Sequence, residues 1–503
     1  MTSPTSTQAQ TCAIRLGLSH SFAEQLPNSY QTCQPRSIAQ PELLYFNHAL
    51  AQQLGMDLSD LDQALLAGLM SGSVLSADAR PLAQAYSGHQ FGHLSPQLGD
   101  GRAHLLGELQ TPTGERVDLA LKGSGRTPYS RNGDGLAALG PMLREVIISE
   151  AMAALGVPST RSLAVVGTGE TLYRQQVEPG AVLARTAASH LRVGSLQFLA
   201  LRQQSQELSK MVDYCLARHY PDQPCPQGTS PALHLLKLVM HRQIALIAQW
   251  YKYGFIHGVM NTDNMTLSGE TIDYGPCAFL EAYNPEQVFS SIDQDGRYAY
   301  GNQAAIGQWN LARMAEALLA LIAPEQDQAI ALATELLQQY WPQWQQAWRQ
   351  AMGEKLGLSQ ALPEDEQLIQ DWLKLLEQQQ IDFHLAFRAL SSHLRGQEQE
   401  LNKLFRQPEH LNAWLARWHE RLQAEQLPDA QLAARLDQHN PYLIARNHQV
   451  ERALSAARQG DLSPFERLLQ ALQLPFADQP EYEDLRQPAD PRVTRQYQTF
   501  CGT

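Results

Sequence analysis

The most useful absences in this 503-residue chain concern paired cysteines, basic charge and long apolar runs. Its six cysteines show no Cys-x-x-Cys spacing, so neither a zinc site nor a secreted disulfide framework is indicated. Lys and Arg number 38 against 51 Asp and Glu, and the net charge of −13 argues against nucleic-acid or membrane-surface binding. No apolar run approaches the ~18 residues that span a bilayer, and no signal peptide is evident. We therefore expect a cytoplasmic monomer with neither nucleic-acid nor membrane partners.

Local patterns predict a strand-rich part followed by a helix-rich part. Apolar residues alternate on both sides of a Pro-Thr-Gly turn and predict a β-hairpin over residues 103–122. A helix is predicted from Pro141 to just before Gly156, and a second hairpin over residues 163–173. After Pro231 the apolar spacing is helical, and amphipathic helices are predicted from residue 307 to 427.

The clearest chemical signal is the segment His257–Asn264, followed by the turn Asp273–Gly275. Protein kinases place a His, an Asp two residues later and an Asn seven residues later in their catalytic loop, and they hold a second metal ligand in an Asp-Phe-Gly turn. Here Asn264 and Asp273 occupy the two ligand positions, and oxygen ligands of this kind suit Mg²⁺. The sequence therefore predicts a metal and nucleotide site.

The usual catalytic base is missing from this segment. The residue two positions after His257 is Val259, which cannot accept a proton from a hydroxyl group. Asp263 is the nearest carboxylate that could replace the base, whereas His257 is predicted to pack the loop.

Further kinase-like components occur in the expected order. Gly99, Gly101 and Arg102 form a glycine-rich turn before the first hairpin, a pattern that suits phosphate binding but also ordinary turns. Lys122 ends a strand, and Glu145 follows on a helix, so we expect an ion pair that fixes the lysine near phosphate.

Two arginines supply further positive charge in this acidic protein. Helical spacing would place Arg185 and Arg192, seven residues apart, on one face. Guanidinium groups match phosphate oxygens, so the pair suggests a phosphate clamp, although solvated charges on a helix would leave the same pattern.

These components predict an α+β protein with a kinase-like bilobal fold and extra helical segments at both ends. The expected regions are an N-terminal extension over 1–80, a small β-rich N-lobe over 81–195, a helical C-lobe core with the catalytic and metal-binding loops over 196–305, and a helical C-terminal region with a regulatory tail over 306–503.

Several longer motifs closely resemble the selenoprotein O family over essentially the whole chain. They are Tyr86–Gly92, Leu98–Arg102, Leu121–Arg131, His257–Asn264, Ile272–Gly275 and the terminal Phe500–Thr503. The resemblance implies a kinase-like fold that transfers AMP rather than phosphate, with ATP bound in reversed orientation.

The resemblance also implies roles for individual residues. Asp263 would accept the proton, and Asn264 and Asp273 would bind Mg²⁺ or Mn²⁺. The ATP-binding residues would be Gly99, Gly101, Arg102, Lys122, Asp134, Gly135, Arg185, Arg192 and Asp273. Protein substrates would receive AMP on Ser, Thr or Tyr.

Two cysteines suggest regulation. Cys277 follows the metal-binding turn, and Cys501 lies on a short polar tail where some members of the family carry selenocysteine. We expect either a redox disulfide between them or a packed Cys277 with a separate, exposed Cys501.

Three alternatives to AMP transfer stay open on the sequence. UTP could replace ATP and give UMP transfer, because the pocket residues named above contact phosphates more clearly than a base. A small-molecule phosphotransferase would share the fold but normally needs an Asp where Val259 stands. A catalytically inactive nucleotide-binding scaffold would explain Val259 without explaining the retained metal ligands.

Overall fold

The computed structural model describes residues 9–174 and 177–500 and has a mixed α/β architecture. Strands predominate before residue 190 and helices after it. The strands are β1 Gln10–Thr11, β2 Tyr30–Thr32, β3 Glu42–Phe46, β4 Val74–Leu75, β5 Leu82–Gln84, β6 Gly88–Gln90, β7 His93–Ser95, β8 Ala103–Gln110, β9 Arg116–Lys122, β10 Ala137–Ala138, β11 Arg161–Tyr173, β12 Val177–Ala187, β13 Phe255–Ile256 and β14 Ala278–Phe279.

The helices that accompany these strands fall into an early and a late group. The early group is α1 Ser21–Gln25, α2 His48–Gln53, α3 Gln63–Ser71, α4 Leu139–Ala154, α5 Val193–Leu201, α6 Ser205–His219 and α7 Pro231–Lys252. The late group is α8 Gln303–Ile322, α9 Gln326–Gln338, α10 Tyr340–Lys355, α11 Asp365–Gln379, α12 Phe383–Leu394, α13 Glu398–Asn402, α14 Pro408–Gln423, α15 Asp429–His439, α16 Asn447–Arg458, α17 Ser463–Leu472, α18 Glu483–Arg486 and α19 Pro491–Gln496.

The main sheet has the strand order β2-β5-β8-β9-β12-β11-β3, and β10 pairs with β12. The predicted hairpin over 103–122 is confirmed, because β8 and β9 are antiparallel and place Ala103 opposite Lys122. The segments around residues 30 and 44 add strands β2 and β3 to the sheet, so the N-terminal part is not only helices and loops.

The predicted second hairpin over 163–173 is wrong. These residues belong to one long strand, β11, whose antiparallel partner is β12. The pairing shifts between Gly167 and Thr171, and Gly169 has a φ of 69°. The Gly-Thr-Gly sequence is therefore an irregularity inside a strand, where glycine adopts the backbone conformation that a bulge needs, rather than a turn between two strands.

The two faces of the sheet are covered by different helices. Successive side chains of a strand point to opposite faces. Accordingly, Val165 and Leu183 pack in the core that includes α4, while Val166 and Val182 pack in the core that includes α3. The helix predicted after Pro141 is confirmed as α4, and its buried side carries Glu145 toward the sheet.

Most of the remaining helices follow α7 along the chain. The long helix α7 contacts α8 and α10, and the predicted helical character of residues 307–427 is confirmed. Two late helices, α16 and α17, pack on α4. No helix in the described residues is both long and apolar enough to cross a membrane.

Candidate active site

A cavity of about 620 Å³ lies where the sheet meets the helices. Its wall contains every predicted nucleotide-binding and metal-binding residue except Gly99, and the predicted proton acceptor Asp263 does not belong to the wall. The ionic side chains of the wall are five cations, Arg102, Lys122, Arg174, Arg185 and Arg192, and three carboxylates, Asp100, Asp134 and Asp273. A protein with a net charge of −13 thus presents a cationic cavity, which favours an anionic ligand.

The glycine-rich turn is packed against the segment that follows β9. Gly99 has a φ of 134°, and a Cβ atom there would lie 2.4 Å from the Tyr129 ring. Thr127 Oγ1 donates a hydrogen bond to the carbonyl oxygen of Asp100 at 2.6 Å. A side chain at Gly99 would therefore displace the turn that brings Gly101 to the cavity.

Lys122 and Glu145 form the predicted ion pair. Lys122 Nζ lies 2.5 Å from Glu145 Oε2 and 2.9 Å from Asp273 Oδ1. The two side chains of the pair are only 11% and 3% exposed, which rules out the surface lysine and solvated glutamate that the sequence alone also allowed. The ammonium group of Lys122 thus connects strand β9 with helix α4 and with the turn at Asp273.

The arginines converge on the same carboxylates, but not from one helix. Arg185 lies on strand β12, and Arg192 lies just before α5, so the predicted helical spacing is wrong. Arg185 Nη1 donates to Glu145 Oε1 at 2.9 Å and to Asp273 Oδ1 at 2.7 Å. Arg192 Nη1 lies 3.5 Å from Asp273 Oδ2. The chain between the two arginines turns from strand to helix, and this turn brings both guanidinium groups to the cavity.

This charge cluster changes the acidity of both carboxyl groups. Burial alone would raise the pKa of Asp273, but Lys122, Arg185 and Arg192 outweigh it and hold that pKa well below its usual range. Burial also opposes ionisation of Glu145, and Lys122 and Arg185 lower its pKa in spite of burial. Both groups are therefore anionic at neutral pH.

Two buried arginine donors in the cavity suit an anionic ligand. Arg185 Nε and Arg192 Nη2 are buried and lack a hydrogen-bond acceptor among the described residues. The guanidinium of Arg192 also lies 4.4 Å from the centre of the Tyr86 ring, which fixes its plane. Buried donors without acceptors are costly unless a ligand supplies oxygens, as a phosphate would.

Asp134 and Gly135 form the outer wall. Arg174 Nη2 donates to both Asp134 carboxylate oxygens at 2.8 Å. Gly135 has a φ of 73°, and a Cβ atom there would lie 2.2 Å from the Gly125 backbone, so only glycine fits. Arg174 was missed by sequence reasoning, because nothing near the end of β11 marks it as a partner of a residue forty positions earlier.

The two predicted metal ligands both line the cavity. Asn264 Nδ2 donates to the Val259 carbonyl oxygen at 2.9 Å, which leaves the amide oxygen as the atom able to bind a cation. Asp273 has a φ of 61° and turns its carboxylate toward the lysine and arginines. No cluster of three His, Cys, Asp or Glu residues suited to a metal occurs in the described ranges. Two oxygen ligands fit a magnesium-type ion that is shared with phosphates, rather than a metal site made of protein alone.

His257 packs as predicted. It is 1% exposed, and its Nε2 lies 2.9 Å from the Ile272 carbonyl oxygen. This contact ties the loop to the strand-like segment before Asp273. It is the supporting role expected from the sequence.

Asp263 is buried beside the cavity rather than in its wall. It is 7% exposed, and Gln90 Nε2 lies 3.4 Å from its Oδ2. Burial raises its pKa to about 6, because the hydrogen bond from Gln90 and the charge of Arg192 offset only part of the desolvation. Its carboxylate faces the β6–β7 hairpin, where a Cβ atom at Gly88 would lie 2.2 Å from Oδ1.

The tail reaches the metal-binding turn. Thr499 Oγ1 donates to the Pro276 carbonyl oxygen at 2.7 Å, and Thr499 N donates to the Phe289 carbonyl oxygen at 2.8 Å. Cys277 is buried next to this contact. Cys501, the other half of the predicted disulfide, lies outside the described residues, so the pairing stays a prediction.

Comparisons with known proteins identify the family of this chain. A family model described as protein adenylyltransferase SelO matches residues 13–473. A protein nucleotidyltransferase YdiU of Chromobacterium violaceum is 51% identical over 480 residues, which are 95% of this chain and 100% of that protein. Proteins of the same name from Rhizobium meliloti and Cereibacter sphaeroides are each 50% identical, over 96% of this chain and 99% of their own length. With its cationic cavity and near full-length relatives, the chain belongs to the SelO family and is a nucleotidyltransferase.

Proposed function

We propose that this protein transfers AMP from ATP to Ser, Thr or Tyr hydroxyl groups of other proteins. The observation that carries the proposal is the cluster of Lys122, Arg185 and Arg192 around Asp273, together with an apolar Val259 in the same cavity wall. The cations suit a triphosphate, and Val259 cannot serve as the base that a kinase uses.

The proposed fold assignment is a kinase-like bilobal plan. The strand-rich part and the helix-rich part meet at the cavity, as the two lobes of a kinase meet at its nucleotide site. The boundaries near residues 80, 195 and 305 are part of this proposal, as are the cytoplasmic location and the monomeric state.

In the proposed reaction, ATP lies reversed relative to a kinase, with its terminal phosphates against Lys122, Arg185 and Arg192. The unpartnered donors Arg185 Nε and Arg192 Nη2 would then find phosphate oxygens. A buried cluster of cations suits phosphates far better than it suits an adenine ring.

The proton acceptor in this proposal is Asp263. The acceptor oxygen bonds to the α-phosphorus, the bond from that phosphorus to the β-phosphate bridging oxygen breaks, and pyrophosphate leaves. The hydroxyl proton goes to the Asp263 carboxylate, whose pKa of about 6 suits a base near neutral pH. Asn264 and Asp273 would hold Mg²⁺ or Mn²⁺, which when bound neutralises charge on the phosphates.

Parallel incubations with α-labelled and γ-labelled ATP test the proposal. We expect label on protein only from the α position, whereas label only from the γ position would identify a phosphotransferase and contradict AMP transfer. A third incubation with α-labelled UTP measures UMP transfer, the alternative that the relatives' wider name of nucleotidyltransferase supports. An inactive scaffold would transfer label from none of them.

A further inference from the structure

The β6–β7 hairpin covers the proposed proton acceptor. Asp263 is 7% exposed and lies outside the cavity wall, although its neighbour Asn264 and Val259 belong to that wall. Its Oδ1 is buried without a hydrogen-bond partner in the described part of the chain. A hydroxyl group that is to reach both Asp263 and the cavity must therefore enter where the hairpin now lies.

The hairpin is attached to the catalytic loop by a few polar contacts. His89 N donates to Thr262 Oγ1 at 2.8 Å, and Phe91 N donates to Asn261 Oδ1 at 3.1 Å. The contact from Gln90 to Asp263 is long, at 3.4 Å, and is therefore weak. The His89 bond comes from a backbone N–H group of strand β6, so an extended acceptor segment could make the same bond.

Two features make detachment of the hairpin plausible on physical grounds. Phe91 sits at a φ of 50°, a left-handed conformation that a bulky residue adopts only where its contacts hold it. The outer strand β7 is open to solvent, with Leu94 42% exposed. Detachment would therefore relieve backbone strain at Phe91, and it would separate the Phe91 ring from the Tyr298 ring, whose centres lie 5.1 Å apart.

We propose that residues 88–95 are the acceptor-selecting element of the site. The inference rests on the proposed AMP transfer. The docked hairpin keeps water from Asp263, and an acceptor segment displaces it, so that Asp263 Oδ1 receives its missing hydrogen bond from the acceptor hydroxyl. Gln90 is a positioning residue that holds the Asp263 carboxylate until then.

The proposal predicts a competition between two nucleophiles. With a protein hydroxyl, ATP gives AMP-protein and pyrophosphate. With water, ATP gives free AMP and pyrophosphate, and the water proton goes to Asp263. A site that excludes water until the acceptor binds suppresses the second reaction, as closing elements do in other transferases.

Two hairpin variants test this in the full-length protein. His89→Ala removes the contacts of His89 with Gln197 and Trp309 without touching Asp263, and Gln90→Ala removes the contact with Asp263 itself. Free AMP is measured with purified protein and α-labelled ATP, and protein-bound label is measured after addition of dialysed bacterial extract. We expect the ratio of free to transferred AMP to rise about fivefold in His89→Ala, the population change that loss of one neutral hydrogen bond allows, and to rise less in Gln90→Ala, whose contact is weak. Leu474→Ala, an exposed leucine outside the hairpin, is the matched control and should leave the ratio unchanged.

Other results would overturn the proposal. If both reactions fall together and the ratio stays constant, the hairpin has only a structural role. If wild-type protein forms neither free nor bound AMP, the proposed function itself fails, and that result differs from an unchanged ratio.

Amide hydrogen exchange of the wild type gives a readout that does not depend on a folded variant. The amides of His89 and Phe91 should exchange faster than those of the buried part of α5. Protection equal to that of α5 would show that the hairpin does not open and would contradict the proposal.

Discussion

Glu145 and Asp263 are two buried carboxylates at the same cleft, and their surroundings differ. Glu145 accepts hydrogen bonds from Lys122 and Arg185, whereas the Oδ1 atom of Asp263 has no partner among the described residues. The pKa of Glu145 is lowered, and the pKa of Asp263 is raised to about 6.

The comparison separates a structural carboxylate from a reactive one. On the cation side, opposite charges offset the cost of burial and fix the geometry before any ligand arrives. On the acceptor side, the neutral hairpin does not stabilise the negative charge of Asp263, so the pKa of this carboxyl group is raised. A raised pKa is what a proton acceptor near neutral pH needs. Substitutions on the two sides of the cleft test this difference.

Removal of Asp273 should have the largest effect on turnover. Asp273→Ala removes a proposed metal ligand and the common partner of Lys122, Arg185 and Arg192, so we expect a loss of roughly 10³-fold or more in AMP transfer. The measurement is label transfer from α-labelled ATP. Asp222→Ala, an exposed carboxylate in a loop, is the control. Near-normal turnover of Asp273→Ala would contradict the metal assignment.

Asp263→Asn should lower turnover without lowering the stability of the fold. The substitution removes the proposed proton acceptor, and turnover should fall by about 10²–10⁴-fold. Because it also removes a buried charge whose Oδ1 atom lacks a hydrogen-bond partner among the described residues, the free energy of unfolding should stay equal or rise by ~1 kcal/mol.

Glu145→Gln is the matched comparison for Asp263→Asn, because it places the neutral amide among buried cations. Unfolding by denaturant should show a loss of about 3 kcal/mol for this variant. Equal stability changes in the two variants would remove the distinction between the two carboxylates.

Substitutions of Lys122 test whether a point charge is required. Lys122→Ala should reduce turnover by roughly 10²-fold and cost about 1.5–3 kcal/mol of stability, since Glu145 keeps Arg185 as a partner. Lys122→Arg should also reduce turnover, because the planar guanidinium group does not fit a site in which one ammonium group contacts two carboxylates. Unchanged ATP affinity and turnover in Lys122→Ala would refute the assignment.

The smallest expected effect concerns pH and Glu270, a partly buried carboxyl group for which the described residues show no ion pair. Burial raises its pKa to about 7, while Ser268 and the Ala188 amide offset only part of that cost. A raised folded-state pKa contributes stability that is present below the unfolded value of 4.5 and is lost as pH rises through about 7. Glu270→Gln should therefore remove about 1–3 kcal/mol of the wild-type decline in unfolding free energy between pH 5 and pH 8. The measurement is denaturant unfolding of both proteins at pH 5 and pH 8. An equal decline in unfolding free energy in the wild type and in Glu270→Gln would contradict this prediction.

Local sequence patterns predicted the elements whose signals are short-range. The β8–β9 hairpin follows from alternating apolar residues around a turn, and α4 follows from its helical stripe between Pro141 and Gly156. The Lys122–Glu145 pair could be predicted because both residues lie at recognisable positions in those elements.

Patterns failed where one signal fits two structures. The Gly167–Gly169 segment has the composition of a turn, yet it lies within β11, because the pairing with β12 continues beyond it. Arg185 and Arg192 have helical spacing, but strand pairing and the loop before α5 decide their positions.

The sequence by itself determined the main chemical groups of the site: a lysine, arginines, an amide and carboxylates in a recognisable order. Tertiary structure alone decided which carboxylates meet cations and which meet a neutral hairpin. Gln90 lies 173 positions before Asp263, and Lys122 lies 151 positions before Asp273. Periodicity reports only on neighbours a few residues apart, whereas burial and pairing over such separations are set by how the sheet and the helices pack. The same residue type, a buried carboxylate, is therefore an anchor at one side of the cleft and a candidate base at the other.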